Sequence, residues 1–207
     1  MTTYATMRSR IADEVARSDL TSNVNAAILS AIEHYKDERF WFNELRDTAS
    51  TASGTQNYLM PDAAAERPLI RADRLTITVN SNIIDLGDPR PHDEIVRLTT
   101  SSSRTGIPDR WSMYQDSIWL YPIPNGTYTL TLWYVGQLAA LSADADTNAW
   151  TVEAEALIRA AAKRILYEDV IRDYDMANRM ELAEQRALSR LRGRRDLRLA
   201  SEVASWL

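Results

Sequence analysis

Cysteine is absent from this sequence, histidine occurs twice, and glycine and proline are scarce outside the middle of the chain. Without cysteine there can be no disulfide and no thiolate metal site, a composition compatible with a reducing cytoplasm. No apolar run approaches the ~18 residues of a membrane span, so no membrane association is expected. The opening stretch from Met1 to Leu20 alternates charged with apolar residues and lacks the apolar core of a secretory signal. The mature protein is therefore expected to begin here. A dominant charge of one sign is also missing: 24 basic against 29 acidic residues give a net charge of -5. That balance argues against a protein built to grip nucleic acid over its whole surface, so any basic patch must be local.

Motifs of catalysis are missing too. His34 and His92 lie in no HExxH pair, and there is no GxGxxG, GxxxxGK[ST] or GxSxG. Both histidines read as surface or packing residues, and no catalytic, cofactor-binding or metal-binding residue is assigned. One near-match is Asp144-x-Asp146-x-Asn148 with Glu155, which has the oxygen spacing of a calcium loop. Ala149 stands where that loop needs glycine, and the stretch reads instead as a polar loop capping a helix.

What is present is a three-part organisation. All seven prolines and five of the six glycines lie between Gly54 and Gly136, leaving Met1–Ser53 and Gln137–Arg192 free of both. These residues are the strongest breakers of regular structure, so two helical flanks bracket a punctuated centre. The resulting fold class is α+β: a helical bundle of two N-terminal helices and long C-terminal helices, with an inserted antiparallel β-rich region. The boundaries are 5–44 for an N-terminal helical hairpin, 45–136 for the insert, 137–192 for the C-terminal helices and 193–207 for an Arg-rich arm.

In the first flank Met7, Ile11 and Val15 recur at helical spacing, and Val24, Ile28, Ala31, Ile32 and Tyr35 repeat the pattern. Phe40-Trp41-Phe42 closes it, as a plug that must bury against more than one partner. The centre reads as strands at 46–53 and 57–60 forming a hairpin around Gly54, at Leu75–Val79 and at Ile83–Leu86, then a helical turn or two from His92 to Thr99. Strands at 110–114, 117–121 and 127–135 follow. Asn125-Gly126 favours a type I′ turn, predicting a hairpin between the last two. The Ser101–Gly106 tract has loop composition and is expected to project. In the second flank Thr151 is the expected N-cap, Leu157, Ile158, Ala161, Ala162, Ile165 and Leu166 form one apolar stripe, and Ala177, Met180, Ala183, Ala187 and Leu191 form another. Gly193 is expected to break the last helix.

Arg190, Arg192, Arg194, Arg195 and Arg198 cluster near the C-terminus, followed by Trp206 and Leu207. The cluster fits three roles: neutralising phosphates, complementing a helix dipole, or docking on a protein with Trp206 and Leu207 as anchors.

In order and spacing, the chain resembles the head-to-tail connector (adaptor) proteins of tailed bacteriophages, which form the ring beneath the portal. The resemblance rests on Ala26-Ala27-Ile28 through Glu38-Arg39-Phe40-Trp41-Phe42-Asn43-Glu44, Gly106-Ile107-Pro108, and Ile118-Trp119-Leu120-Tyr121-Pro122-Ile123-Pro124 running into Tyr128-Thr129-Leu130. Leu141-Ser142 with Asp146-Thr147-Asn148 completes it. It implies a non-enzymatic virion protein of the neck, made in the host cytoplasm. Such a protein assembles as a ring, commonly of twelve copies, extends the DNA channel, helps retain the genome and presents a surface to the next tail component. Its partners would be the portal protein, a tail, nozzle or stopper component, further copies of itself, and double-stranded DNA passing without sequence recognition. On this resemblance Arg190, Arg192, Arg194, Arg195, Arg198, Trp206 and Leu207 would dock on the portal. The loops carrying Ser102, Arg104, Asn125 and Gly126 would face neighbours or the tail. The alternatives are a DNA-binding protein acting through the Arg-rich tail, and a carboxylate- or calcium-dependent hydrolase using Asp146 or Glu155.

Overall fold

The computed structural model describes residues 1–59, 69–115 and 117–204, with side chains described as far as residue 194. The chain divides into two compact units, one formed by 1–42 with the segment from 138 onward, the other by 43–137.

In the first unit, α1 (Tyr4–Val15) is capped by the Thr3 hydroxyl, which accepts from Thr6 N at 3.2 Å, and ends where Ala16 turns left-handed at φ 55°. A 3-10 turn at Ser18–Leu20 leads into α2 (Thr21–Tyr35). Helical spacing puts Met7, Ile11, Val24, Ile28 and Ala31 in the core, all but fully buried. The Phe40-Trp41-Phe42 plug is no longer helical: Phe40 and Phe42 stack at 5.0 Å, and both meet Trp150 edge-on. Trp150 sits in the short α4 (Ala149–Val152), whose N-cap is Asn148 rather than Thr151. The two share a capping box in which the Thr151 hydroxyl accepts from Asn148 N at 3.1 Å. Then α5 (Glu155–Ile165) buries Leu157, Ile158, Ala161 and Ala162 and widens into a π-turn at Leu166–Ile171. Arg172, left-handed at φ 62°, ends that turn, and α6 (Tyr174–Ala204) runs back along α5.

Gly193 does not break this helix; α6 passes through it to Ala204. One glycine costs a helix about 1 kcal/mol relative to alanine, which the packed turns before it absorb.

Among the described residues the second unit holds three sheets. The largest has the order β1-β9-β3-β4, all antiparallel, from β1 (Glu44–Ser50), β9 (Thr129–Gly136), β3 (Leu69–Val79) and β4 (Asn82–Asp85). A second orders β2 (Asn57–Leu59), β7 (Ser117–Tyr121) and β6 (Arg110–Tyr114). The third is a parallel pair, β5 (Thr105–Gly106) with β8 (Ile123–Pro124). Leu75, Ile77, Leu130, Leu132 and Tyr134 form one core with Trp111, whose indole N–H donates to Gly87 O at 2.8 Å. α3 (His92–Ser101) lies over β6 and β7 and buries Ile95.

Several expectations are corrected. A helical bundle carrying one antiparallel insert is not what forms: the protein is mixed α+β. Of the six α-helices among the described residues, α3 belongs to the sheet-bearing unit and α4 is one turn long, while the strands divide among three sheets, one of them parallel. The strands at 46–53 and 57–60 do not form a hairpin, because β1 pairs with β9 and β2 with β7; Met60 lies outside the described residues. Nor do β7 and β9 form one. Asn125-Gly126 lies on a crossover between two sheets, and neither residue has positive φ. Pro122 and Pro124 explain this, since without N–H groups they cannot extend the β7 ladder. The tight turn with two left-handed residues is instead Asn80-Ser81, at φ 49° and 67°, joining β3 to β4.

Candidate interaction surfaces

The basic end of α6 follows from its spacing. Ala183, Ala187 and Leu191 face α5, and Arg186, Arg190 and Arg194 border that same face. Near its middle α6 is fixed by a buried ionic network. The Tyr35 hydroxyl donates to Glu184 Oε1 at 2.5 Å, and Arg164 Nε donates to Glu184 Oε2 at 2.7 Å. Burial, then its hydrogen bond to the carboxylate, pushes the Tyr35 phenol well above the ordinary tyrosine range. The hydrogen bond to Glu184 raises Arg164 further. The signal for this network was in the sequence: Glu184 interrupts the apolar stripe of α6, and Arg164 interrupts that of α5.

Beyond the network the two helices border a groove of about 1020 Å³. Its lining carries five cations, Arg159, Lys163, Arg186, Arg190 and Arg194, against one carboxylate, Glu153. Glu14 bridges Arg159 and Lys163, and Arg194 reaches Glu153 at 3.4 Å. Burial and then the adjacent Arg159 guanidinium lower the Lys163 pKa from its ordinary value. Arg186 and Arg190 hold no ion pair among the described residues.

Of the residues expected to dock, Arg192 is held by Glu38 at 2.9 Å and Arg194 by Glu153, while exposed Arg190 is unpaired among the described residues. Arg195 and Arg198 lie on α6, their side chains outside the described part; Trp206 and Leu207 fall outside the described residues.

The loop residues are brought together. Exposed Ser102 closes α3, its N–H donating to Leu98 O at 3.0 Å, and Arg104 O accepts from Ile123 N at 3.0 Å. Asn125 N donates to Gly106 O at 3.2 Å, so the tract that was expected to project is pinned beside the second loop. The Tyr128 hydroxyl donates to Asn125 Oδ1 at 2.6 Å and the Thr51 hydroxyl to Gly126 O at 2.9 Å. Ser102, Arg104 and Asn125 thus belong to one exposed, braced rim.

The calcium-like spacing resolves into separate partners. Asp144 pairs with Arg8, and Asp146 Oδ2 accepts from Ser142 N and Ala143 N at 2.7 and 2.6 Å. Those backbone donors hold the Asp146 carboxyl below its usual range. Asn148 caps α4, and Glu155 takes Arg10, Arg159 and Thr2. His92 stacks on Tyr114 at 4.4 Å and meets Ser112 Oγ at 3.2 Å. Among the described residues there is no group of three or more ligating side chains placed for a metal, and no helix long and apolar enough to cross a membrane.

No curated protein matches the chain. The model of the SU10 adaptor protein family matches residues 2–205, nearly its whole length. The chain therefore belongs to the SU10 adaptor protein family, a phage head-to-tail adaptor family whose members are structural components of the virion and not a class of enzymes.

Proposed function

We propose that this adaptor assembles as a ring on the portal, extends the DNA channel toward the tail and joins the two. The observation that carries this reading is the basic end of α6: a helix that continues to Ala204 and bears a guanidinium group, Arg190, that no described acidic group neutralises. Docking residues on this reading are Arg190, Arg192, Arg194, Arg195 and Arg198, with Trp206 and Leu207 as anchors. The braced rim of Ser102, Arg104, Asn125 and Gly126 meets neighbours or the next tail component. A chain of net charge -5 lets DNA slide past where a basic one would hold it. Ring closure makes weak individual contacts sufficient, because each copy already seated raises the effective concentration of the next.

Mass photometry tests this on the portal ring of the same phage, using the full chain and a chain ending at Gly193. Many copies added by the full chain, and few by the shortened one, are expected. If neither adds mass at any salt concentration, the adaptor ring fails as a reading. Duplex binding that weakens steeply with salt would then favour a DNA-binding role for the arginine cluster.

A further inference from the structure

A ring needs two surfaces on each copy that fit each other, and the helical unit carries two patches of opposite charge. One is the α5–α6 groove, floored by Ala156, Ala160, Ala183 and Ala187. Its small side chains leave room for a foreign residue to approach both helices closely. Its rim carries the excess of cations described above, with Arg186 and Arg190 unneutralised among the described residues.

The other is the elbow where the π-turn passes into α6. Glu168, Asp169, Asp173 and Asp175 fall within eight residues there, with Arg172 the one cation among them. They surround two exposed apolar side chains, Val170 at 37% and Tyr174 at 63% of full exposure. Asp169 and Asp175 hold no ion pair among the described residues. Elbow and groove cannot meet within one chain: thirteen residues of α6 between Tyr174 and Ala187 span roughly 20 Å.

We propose that the elbow of one copy seats in the α5–α6 groove of the next, with Val170 and Tyr174 on the alanine floor and the Asp169 and Asp175 carboxylates facing Arg186. Two different patches of one chain make a head-to-tail contact, which closes into a ring when the rotation between copies permits. The proposal rests on the adaptor-ring reading and assigns the contact that builds the ring.

The absence of cysteine helps the test, since every disulfide between copies of this chain must come from introduced residues. V170C/A187C keeps every charge, and within one chain its two cysteines lie far beyond the ~7 Å Cα separation a disulfide tolerates. The full-length variant is loaded on the portal ring of the same phage and oxidised. Loading is counted by mass photometry and cross-linking by non-reducing gel. A ladder of covalent oligomers is expected, whereas V170C or A187C alone should give nothing beyond dimers. Adding R186E should lower the yield about tenfold or more through like-charge contact, and adding D169K to that variant should restore it. If copies load but V170C/A187C cross-links no better than the single variants, or the charge swap fails to restore the yield, this contact is wrong and the ring reading stands. If wild type adds no copies, the ring reading falls and the contact with it.

Discussion

The two units solve the problem of core formation differently. The helical unit packs large side chains such as Met7, Ile28 and Phe40 together with many small ones, Ala27, Ala31, Ala154, Ala161 and Ala162 all lying at 3% exposure or less. It draws its elements from both ends of the chain and ties the opposing helices with Glu184, Arg164 and Tyr35. The sheet unit is continuous in sequence and closes around large residues, Trp111, Leu75, Ile77, Leu120 and Leu132. It leaves apolar groups exposed at its edge strands, Leu59 on β2 and Ile83 on β4. Alanine-lined helices can come close and are sensitive to charge between them; a sheet around one tryptophan is sensitive to volume.

The sharpest way to break this contrast is Trp111→Ala. Removing a fully buried tryptophan costs about 3–5 kcal/mol. Hydrogen exchange should show lost protection in β3, β6, β7 and β9 while α2 and α5 keep theirs. Glu184→Ala is the mirror experiment. It leaves the buried Tyr35 hydroxyl without its acceptor and Arg164 with only Glu168, at 3.2 Å, among the described residues, and should cost about 2–3 kcal/mol, with protection lost in α5 and α6 and kept in β9.

A smaller effect separates the tyrosine from the ion pair. The raised pKa keeps the Tyr35 phenol neutral in the folded state at pH values where the unfolded chain ionises. The stability it gives is therefore fully present below the ordinary tyrosine pKa of about 10 and is lost as pH rises above it. Tyr35→Phe should lower stability by about 1.5–3 kcal/mol at neutral pH, the value of a hydrogen bond to a charged group. It should also flatten the fall in melting temperature above pH 10.

At Gly193 a Cβ would meet nothing within 4 Å and the backbone is helical, so Gly193→Ala should stabilise α6 by up to about 1 kcal/mol and increase helical circular dichroism. The smallest effect belongs to Asp19. Its hydrogen bonds from Arg17, both 2.7 Å, pull its carboxyl down to about 2, and Arg17→Ala should return its NMR titration midpoint to the usual range near 4. Being fully exposed, this pair should leave the melting temperature nearly unchanged.

Legibility followed the range of the forces involved. Helix faces were readable because Met7, Ile11 and Val15, or Leu157, Ala161 and Ile165, lie within a few turns of one another. The strand positions were largely readable as well, but their pairings were not. Glu44 faces Val135, ninety-one positions on, and no local pattern encodes that choice. Where a local rule was trusted alone it failed. Asn125-Gly126 has the composition of a hairpin turn, yet the flanking prolines forced a crossover. Gly193 has the composition of a breaker, yet a long packed helix outweighed it. The loop residues Ser102, Arg104, Asn125 and Gly126 were identified singly; their union needed the parallel β5–β8 pair. Likewise the acidic elbow and the basic groove become a matching pair only once α6 is known to run back along α5.

On the proposed function α6 docks on the portal, whereas the braced rim of the sheet unit meets neighbours or the next tail component. Hydrogen exchange on the chain alone and on the chain loaded onto the portal ring tests it directly. New protection is predicted along the basic end of α6, from Arg190 onward. New protection in segments 102–106 and 123–126 with none from Arg190 onward would contradict it.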